Sequence, residues 1–394
     1  MTHKRHVLVS IEFRFYHHVA DNSFWTDSAF PDSFWQRYLV IFQQVGIIAR
    51  AQPVKTLQPG WKRVDSERVQ VHPLPYYVGP LGFVRRLPAI LGTLRALIRP
   101  DAAYIVRVPS ILGSVLIRLL LRQRLAYALE VVGDPEDAFA ANVIQHPLRP
   151  LFRWLFVREM TWQCARARGV AYVTQTRLQQ RYPRPEASFT AAYSSIELPA
   201  SMLLHQPRQP RQNEPLKLLF IGSLEQLYKG LHIVLQALAL CRERGQEFSL
   251  DVLGEGRYRP QLQQMAVDLK LDTLVRFHGM VPRETGVIPF LDQADLFIHA
   301  SLTEGLPRVV IEAMARGLPC VATRVGGIPE LMPDQDLTPP NDVQALADRI
   351  CELARQPEQR AAQSLRNLKK AAEYEESILA GRRQHFYQQV AEYC

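Results

Sequence analysis

Two glutamates with seven residues between them flank a predicted helix start, in the stretch ASLTEGLPRVVIEAMARGLP at residues 300–319. Pro307 suits the first helical turn and Gly317 suits the position after the last, so Glu304 lies in the preceding loop and Glu312 lies within the helix. The free amides at the helix start form an anion site that the helix dipole strengthens. A carboxylate at Glu312 can accept hydrogen bonds from the two vicinal hydroxyls of a ribose, and Glu304 can bind a sugar ring in the same way. The stretch therefore predicts a site for a phosphorylated ligand rich in hydroxyls.

The same stretch has a purely structural interpretation. Arg308, Glu312 and Arg316 recur every four residues, so they could form an exposed stripe of salt bridges along the helix. Periodicity alone does not choose between that stripe and a ligand site.

A second candidate phosphate site is IGSLEQLYKG at residues 221–230. Gly222 follows an apolar run that predicts a strand, and a glycine there lets the backbone approach a phosphate. Lys229 supplies a compact positive charge, although the position alone also suits an ordinary exposed lysine. Gly254, in the GEG turn after the next predicted strand, is a weaker signal of the same kind.

Strands and helices alternate throughout the second half of the chain. This alternation predicts stacked βαβ units around a parallel sheet, and the continuous apolar runs suit strands that are buried on both faces. Ligands of such sheets bind at the carboxyl ends of the strands. The predicted strands are residues 216–221, 248–253, 275–278, 296–299 and 320–323, and the predicted helices are 230–244, 258–269, 285–293 and 307–316.

The first half shows the same alternation less clearly. Between the halves, HQPRQPRQNEP at residues 205–215 has three prolines and predicts a linker, which separates a domain at 1–204 from one at 216–373. The tail at 374–394 has apolar residues at helical spacing. In the first half, strands are predicted at 7–11, 46–49, 69–72, 103–106 and 127–132, and helices at 33–44, 87–98 and 151–168.

Composition favours a folded two-domain protein. The chain has 394 residues, of which 47% are hydrophobic and 22% charged, which is too long for one core and unlike a disordered protein. Its five cysteines occur singly, which argues against a zinc site or disulfide framework and favours a reducing compartment. The first apolar stretch is broken by Glu12 and Arg14, and no run approaches the roughly 20 apolar residues that a membrane helix needs. We therefore expect a cytoplasmic protein.

Positive charge is concentrated in the first half. Residues 1–200 carry 25 Lys and Arg against 14 Asp and Glu, whereas the remaining residues carry 22 against 24. Residues 85–124 contain eight arginines, Arg107 among them, and one acid, interleaved with Leu and Ile; residues 148–168 add tryptophans. This pattern predicts docking on an anionic membrane at the inner face of the plasma membrane, or else helices that pack on their own sheet with solvated arginines. The dispersed arginines and the missing basic-aromatic motif argue against a nucleic-acid partner.

The 300–319 stretch resembles the signature of the group 1 retaining glycosyltransferases of the GT-B fold. The family pattern is E-G-x-P/G-x-x-x-x-E-A-M-A-x-G-x-P, and VATRVGGIPE at 321–330 resembles the family's double-glycine loop. The resemblance extends over residues 217–350. In the first half, SFWQRYL at 33–39, EVVGDP at 130–135 and AYVT at 171–174 resemble bacterial polysaccharide transferases.

This resemblance implies an α/β protein with two Rossmann-like domains facing each other across a cleft, and a last helix (374–394) that returns to the first domain. Glu312 would hold the ribose hydroxyls, and Glu304 would contact the donor sugar as a catalytic residue. Asp134 would face the same sugar from the first domain, unless it is only a turn residue before Pro135. The base would lie near residues 278–282. The other donor-binding residues implied are Gly222, Ser223, Lys229, Gly254, Met280, Gly305, Leu306, Pro307, Gly326 and Gly327.

Two features depart from the family pattern. Many relatives have an arginine where this chain has Ser223, so either Lys229 and the helix amides hold the diphosphate alone, or an arginine such as Arg107 or Arg14 supplies that charge. Relatives often have a glycine pair after the first strand, yet the first glycine in this chain is Gly46. The acceptor side instead has His17, His18, Phe24 and Trp25, which could equally pack only against one another.

The resemblance also implies a mechanism that needs no metal and no cofactor. Lysine and helix amides would meet the phosphate charge, and the acceptor would attack an oxocarbenium-like sugar from the side that the phosphate leaves. A covalent intermediate on Glu304 is the alternative course. Two other functions stay open: a GT-B sugar-nucleotide epimerase, whose extra acid and base groups are not identifiable here, and a catalytically silent sugar-nucleotide-binding or membrane-associated partner.

Overall fold

The computed structural model describes residues 4–27, 29–139, 146–211, 215–281 and 286–394. The chain divides into two compact units. The N-terminal unit comprises residues 1–135, 154–193 and 379–394, and the C-terminal unit comprises residues 136–153 and 194–378. Within the described residues, no helix combines the length and apolar content needed to cross a bilayer.

A mostly parallel sheet forms the centre of the N-terminal unit. Its strands are β1 (His6–His18), β2 (Ser23–Thr26), β3 (Gln44–Val54), β4 (Lys62–Arg63), β5 (Val69–Leu74), β6 (Ala102–Val108), β7 (Ala128–Val131), β8 (Gly169–Tyr172) and β9 (Phe189–Ala192). The helices of this part of the chain are α1 (Asp32–Leu39), α2 (Gly79–Leu97), α3 (Ile111–Arg122), α4 (Pro135–Ala138), α5 (Arg149–Cys164) and α6 (Arg177–Arg181).

The parallel strands run in the order β5-β3-β1-β6-β7-β8-β9, and the short β2 and β4 add antiparallel pairing to the far end of β1. The chain order reverses between β1 and β6, because β3 and β5 lie on one side and the later strands on the other. Apolar residues of α2, α3 and α5 form one buried cluster with residues of β6 and β7. Three of the first-half helices therefore cover this sheet.

The C-terminal unit repeats this architecture with a wholly parallel sheet. The strand order is β12-β11-β10-β13-β14-β15, so the chain order again reverses beside the first strand, between β10 and β13. Its strands are β10 (Leu216–Ile221), β11 (Phe248–Leu253), β12 (Val275–Gly279), β13 (Leu296–His299), β14 (Cys320–Thr323) and β15 (Leu337–Thr338). The remaining helices are α7 (Leu231–Glu243), α8 (Arg259–Asp268), α9 (Val287–Gln293), α10 (Arg308–Ala315), α11 (Val343–Arg355), α12 (Pro357–Ala372) and α13 (Glu376–Tyr393).

The elements predicted for the second half are confirmed, with bounds shifted by at most two residues among those described. The first half needs more correction. Strand β1 runs to His18 instead of residue 11, α5 ends at Cys164 instead of residue 168, and α3, α4, α6, β2, β4, β8 and β9 were not predicted. The predicted helix at 33–44 is wrong beyond Leu39, because the helix ends there and Gln44 and the residues after it pair with β1 as strand β3. Helix α2 begins at Gly79, eight residues before the predicted start at residue 87, and carries a proline in its first turn.

The boundaries between the units also differ from the prediction. Residues 136–153 and 194–204 lie in the C-terminal unit instead of the first domain. The predicted linker at 205–215 is anchored there too, since the Arg208 guanidinium donates to the carbonyls of Ala294 and Leu291, at 2.9 and 2.6 Å. Residues 212–214 of that linker lie outside the described residues. Helix α13, from residue 379 onward, lies in the N-terminal unit.

Candidate functional site

Two loops meet where the strand order of the C-terminal sheet reverses. One follows β10 and the other follows β13, and the Tyr228 carbonyl accepts hydrogen bonds from the Leu302 amide (2.7 Å) and the Ser301 hydroxyl (3.2 Å). Gly230 has a φ of +80°, and a Cβ there would lie 1.9 Å from the carbonyl oxygen of Ala300. Only glycine allows this approach. The two loops are therefore joined at the position where open α/β sheets bind ligands.

A buried ionic cluster occupies this junction. Lys229 Nζ lies 2.7 Å from Glu304 Oε1, and His299 Nε2 lies 2.9 Å from the same oxygen. The side chains of His299, Glu304 and Lys229 are 1%, 10% and 19% exposed. The sequence singled out Lys229 and Glu304 separately, and the structure brings them into contact. His299 was missed; its one signal is an imidazole at the end of an otherwise apolar strand.

The Glu304 carboxyl is ionised in this cluster. Burial alone would raise its pKa, but the hydrogen bond from His299 and the positive charge of Lys229 outweigh burial and lower the pKa to about 2. At neutral pH this group can accept hydrogen bonds from hydroxyls and stabilise positive charge. It cannot donate a proton there.

The start of α10 lies just beyond Glu304. The N-cap residue is Pro307, which forms no side-chain hydrogen bond to the first turn of the helix. Glu312, one turn into α10, is 3% exposed, and Arg316 instead binds both carboxylate oxygens of Asp292 at 2.8 Å. The alternative of an exposed stripe of salt bridges is therefore wrong for Glu312.

The double-glycine loop after β14 packs on the backbone of this cluster. Gly326 has a φ of +52°, and a Cβ there would lie 1.9 Å from the Glu304 carbonyl oxygen. The Gly327 amide donates to the Gly305 carbonyl at 2.6 Å. The Gly326 amide donates to Asp137 Oδ2 at 3.2 Å, a contact that no sequence pattern indicated.

The predicted phosphate loop and the GEG turn are also in contact. The Gly222 amide donates to the Leu253 carbonyl at 3.0 Å, and a Cβ on Gly254 would lie 1.9 Å from the Gly222 carbonyl oxygen. Ser223 is exposed at the turn of this loop. Met280 follows β12 and is 75% exposed, which leaves an apolar surface free to pack on a flat ring. Pro282, the last residue of the predicted base loop, lies outside the described residues.

In the N-terminal unit, side chains already accept hydrogen bonds from the first amides of the corresponding helix. Helix α3 follows β6 as α10 follows β13, and each of these strands pairs with the first strand of its sheet. Ser110 caps α3 by accepting from the Gly113 amide at 2.8 Å. The Glu12 carboxylate accepts from the Leu112 amide at 3.1 Å and also binds Arg50 at 3.0 Å. A carboxylate of the protein thus occupies the anion position of this unit, whereas the N-cap residue of α10, Pro307, forms no side-chain cap.

Arg107 and Asp134 both have contacts within the N-terminal unit, whereas Arg14 faces solvent. Arg107 is wrong as a replacement for a phosphate-binding arginine, because it is buried and forms an ion pair with Glu130. Arg14 is exposed. Asp134 is buried; its Oδ1 accepts from the Tyr182 hydroxyl at 2.6 Å and its Oδ2 pairs with Arg181. Both carboxylate oxygens therefore have partners, and the catalytic role of Asp134 stays a prediction.

The aromatic and histidine residues near the end of β1 pack locally. The rings of His17 and Phe24 stack at 4.7 Å, and His18 Nδ1 lies 2.7 Å from Asp21. The Trp25 indole donates to the Ser23 hydroxyl at 2.7 Å. These contacts favour the local-packing interpretation of this loop.

Comparison with known sequences identifies one family and several relatives. Residues 215–356 match the family model of the group 1 glycosyl transferases. Protein CapJ of Staphylococcus aureus is 26% identical over 330 residues, which is 82% of this chain and 80% of CapJ. The amylovoran biosynthesis glycosyltransferase AmsK of Erwinia amylovora is 34% identical over 151 residues, which is 36% of this chain and 37% of AmsK.

Solved structures share the fold over nearly the whole chain. Sucrose-phosphate synthase from Thermosynechococcus elongatus superposes with a TM-score of 0.71 at 17% identity, covering 99% of this chain and 100% of that one. HepE of Anabaena, solved in complex with UDP, superposes with a TM-score of 0.63 at 16% identity and covers 98% of each chain. These likenesses establish the architecture.

Proposed function

We propose that this chain transfers a sugar from a nucleoside diphosphate donor with retention of configuration, in line with the match of residues 215–356 to the group 1 glycosyl transferases and with its GT-B fold. The observation that carries the proposal is the difference between the two helix starts at the reversal points. The N-cap residue of α10, Pro307, forms no side-chain cap, and this helix start lies beside Lys229, Glu304 and Glu312, whereas the Glu12 carboxylate accepts from an amide at the start of α3.

Each part of the donor matches one part of this site. The diphosphate lies at the α10 amides and Lys229, where the helix dipole and the ammonium stabilise its charge. The ribose hydroxyls lie at the buried Glu312, and the base packs near Met280. Glu304, with its lowered pKa, accepts hydrogen bonds from the donor sugar and stabilises positive charge that develops on the ring.

The reaction proceeds by cleavage of the bond between the sugar and the phosphate. The acceptor oxygen forms the new bond on the face that the nucleoside diphosphate leaves, and the departing phosphate oxygen takes the acceptor proton. Lys229 and the amides at the start of α10 stabilise the negative charge of the leaving group, so we propose that transfer needs no metal. Addition of EDTA should then leave turnover unchanged.

The acceptor is a glycan or a lipid-linked saccharide in this proposal. It is supported by AmsK, which is named for amylovoran biosynthesis. In the N-terminal unit, a polar pocket at the end of β1 is lined by Glu12, Arg14, Tyr16, Asp27, Arg50 and Gln52, side chains that can hydrogen-bond the hydroxyls of a saccharide.

A surface of the N-terminal unit supports peripheral docking on the inner face of the plasma membrane. At the start of α2, Leu81 is 77% exposed and precedes the exposed Arg85 and Arg86. Helix α5 adds Trp154, which is 54% exposed, with the Arg158 guanidinium 5.2 Å from its ring. Apolar side chains beside arginines suit the boundary of an anionic bilayer.

Two measurements test the donor assignment. Thermal unfolding is followed with UDP, GDP, ADP and TDP, because a ligand at 100 times its Kd stabilises the fold by about 2.7 kcal/mol. The corresponding sugar nucleotides are then incubated with membrane extract, and the anomeric configuration of the product is read by NMR. A product of inverted configuration would reject retention, and an unchanged donor would favour a silent binding partner.

A further inference from the structure

Two hydrogen-bond donors converge on one oxygen of Glu304. Lys229 Nζ and His299 Nε2 both contact Oε1, at 2.7 and 2.9 Å. An ionised carboxylate only accepts hydrogen bonds, so the proton of this contact lies on His299 Nε2. Within the described chain, the other oxygen of Glu304 has no hydrogen-bond partner, which leaves it available to a ligand.

The two donors differ in how firmly the fold holds them. Lys229 ends a short 3-10 turn and carries its charge on a flexible four-carbon stem. His299 is the last residue of β13, pairs with β14 opposite Ala322, and is 1% exposed. The imidazole is therefore fixed by the sheet, whereas the ammonium can move.

Donor binding acts on these two contacts differently. A diphosphate brings negative charge to the start of α10, and Lys229 must turn toward it to form the charge-assisted bonds that the proposed function requires. A glutamate held by that lysine alone would lose its position as the lysine moves. The contact with His299 does not depend on the lysine.

We propose that His299 is a positioning residue, which holds Glu304 in place when Lys229 turns from that carboxylate to the donor diphosphate. The inference rests on the proposed function and deepens its account of the same site. His299 Nδ1 is buried and has no hydrogen-bond partner among the described residues, an arrangement that disfavours a histidine here on stability alone. The fold retains the imidazole although an apolar side chain would avoid that cost, which supports a role for Nε2.

Three substitutions of His299 distinguish the position of the hydrogen-bond donor from the mere presence of a polar side chain. Gln places its amide nitrogen near the position of Nε2, Asn places it near Nδ1, and Leu removes both donors. We expect kcat to fall by about ten-fold or more in His299→Leu and His299→Asn, with the donor KM and the Kd for free UDP or GDP changed by less than about three-fold. His299→Gln should recover kcat to within about three-fold of the wild type.

A double-mutant cycle tests whether His299 acts through Glu304. In a Glu304→Gln background, adding His299→Leu should cost much less than it does alone, because the group that it positions has lost its charge. Equal kcat for His299→Leu and wild type, equal loss in the Gln and Asn variants, or additive losses in the cycle would each overturn the inference. Thermal unfolding of every variant shows whether it is folded, and if His299→Leu is not, the Gln and Asn pair still decides.

Failure of this inference differs from failure of the proposed function. If Lys229→Ala and Glu312→Ala bind nucleoside diphosphate as well as wild type does, the donor site itself is misassigned. If those two variants lose binding while all three His299 variants keep wild-type kcat, only the role of His299 is rejected.

Discussion

The hydroxyl of Tyr387, on the last helix, donates a hydrogen bond of 2.9 Å to the carboxylate of Glu130 on β7, 257 positions earlier in the chain. Glu130 is 2% exposed and also accepts from Tyr193 at 3.0 Å and from Tyr38 at 3.1 Å, and it forms an ion pair with Arg107. One buried charge thus connects α13, β6, β7 and α1 of the N-terminal unit. This network explains why the tail returns to the first unit.

Substitution of Tyr387 should lower the free energy of unfolding less than substitution of Glu130. Tyr387→Phe removes one donor and should cost about 1–3 kcal/mol. Glu130→Leu leaves Arg107 buried without its counter-ion and should cost about 3–5 kcal/mol, part of which Arg107→Met restores. Urea unfolding measures each value. Tyr393→Phe, an exposed tyrosine on the same helix, is the control, and an equal effect of the two Tyr variants would contradict the network.

The local parts of the fold follow from local sequence patterns. Apolar runs bounded by glycine predicted strands such as β10 and β11 with their observed bounds. The extension of β1 beyond Ile11 was missed because that segment contains charged and aromatic residues, and its strand geometry depends on pairing with β3 and β2. The β3 partner of Arg14, Arg50, lies 36 positions further along the chain, and no periodicity within the segment reveals it.

The candidate site was likewise predictable in its residues but not in their contacts. Glu304, Glu312 and Lys229 could be chosen by residue type and spacing, but the contact between Lys229 and Glu304 spans 75 positions and depends on the order of β10 and β13. Asp137 was overlooked in favour of Asp134, since a turn sequence does not tell which carboxylate reaches the Gly326 amide.

Lys229→Ala and Glu312→Ala should each weaken nucleoside diphosphate binding. Each removes a charge-assisted hydrogen bond, so we expect losses of about 1.5–3 kcal/mol in binding free energy, measured by isothermal titration. Lys369→Ala, which removes an exposed lysine of α12, should leave binding unchanged. Wild-type affinity in both site variants would show that the donor binds elsewhere.

Ionisation of Glu304 should stabilise the fold in a pH-dependent way. Its folded-state pKa of about 2 lies below the ordinary value of 4.5. Stabilisation is therefore present above the unfolded-state pKa and is lost as the pH falls toward the folded-state value. The difference in unfolding free energy between wild type and Glu304→Gln should be on the order of 3 kcal/mol at neutral pH and decline from about pH 5 to pH 2.

Urea titrations of both proteins at several pH values measure that difference. Glu358→Gln removes an exposed carboxylate of α12 and serves as the control. A difference that is the same at pH 7 and pH 3 would show that Glu304 is not held as an anion by His299 and Lys229.

Gly326→Ala should damage the donor site through the backbone. The new Cβ would meet the Glu304 carbonyl at a residue whose φ is +52°, so the loop must move and the contact between Gly327 and Gly305 must loosen. We expect stability to fall by about 1–3 kcal/mol, with weaker nucleotide binding. Gly92→Ala within α2 has open space around it and should instead stabilise by about 1 kcal/mol. If Gly326→Ala and Gly92→Ala changed the free energy of unfolding equally, the close packing of Gly326 on Glu304 would be incorrect.

Membrane docking should depend on the start of α2. Basic side chains gain roughly 1 kcal/mol each near an anionic leaflet, so Arg85→Glu/Arg86→Glu should abolish cosedimentation with phosphatidylglycerol vesicles. Leu81→Ser should weaken it because the buried apolar area is lost, and added salt should weaken it for the wild type. Lys270→Glu/Lys369→Glu changes the net charge equally with two exposed lysines of the C-terminal unit and should retain binding. Docking would be rejected if the wild type stayed in the supernatant equally with phosphatidylglycerol and with phosphatidylcholine vesicles. If both double variants lost cosedimentation equally, binding would depend on net charge and not on the start of α2.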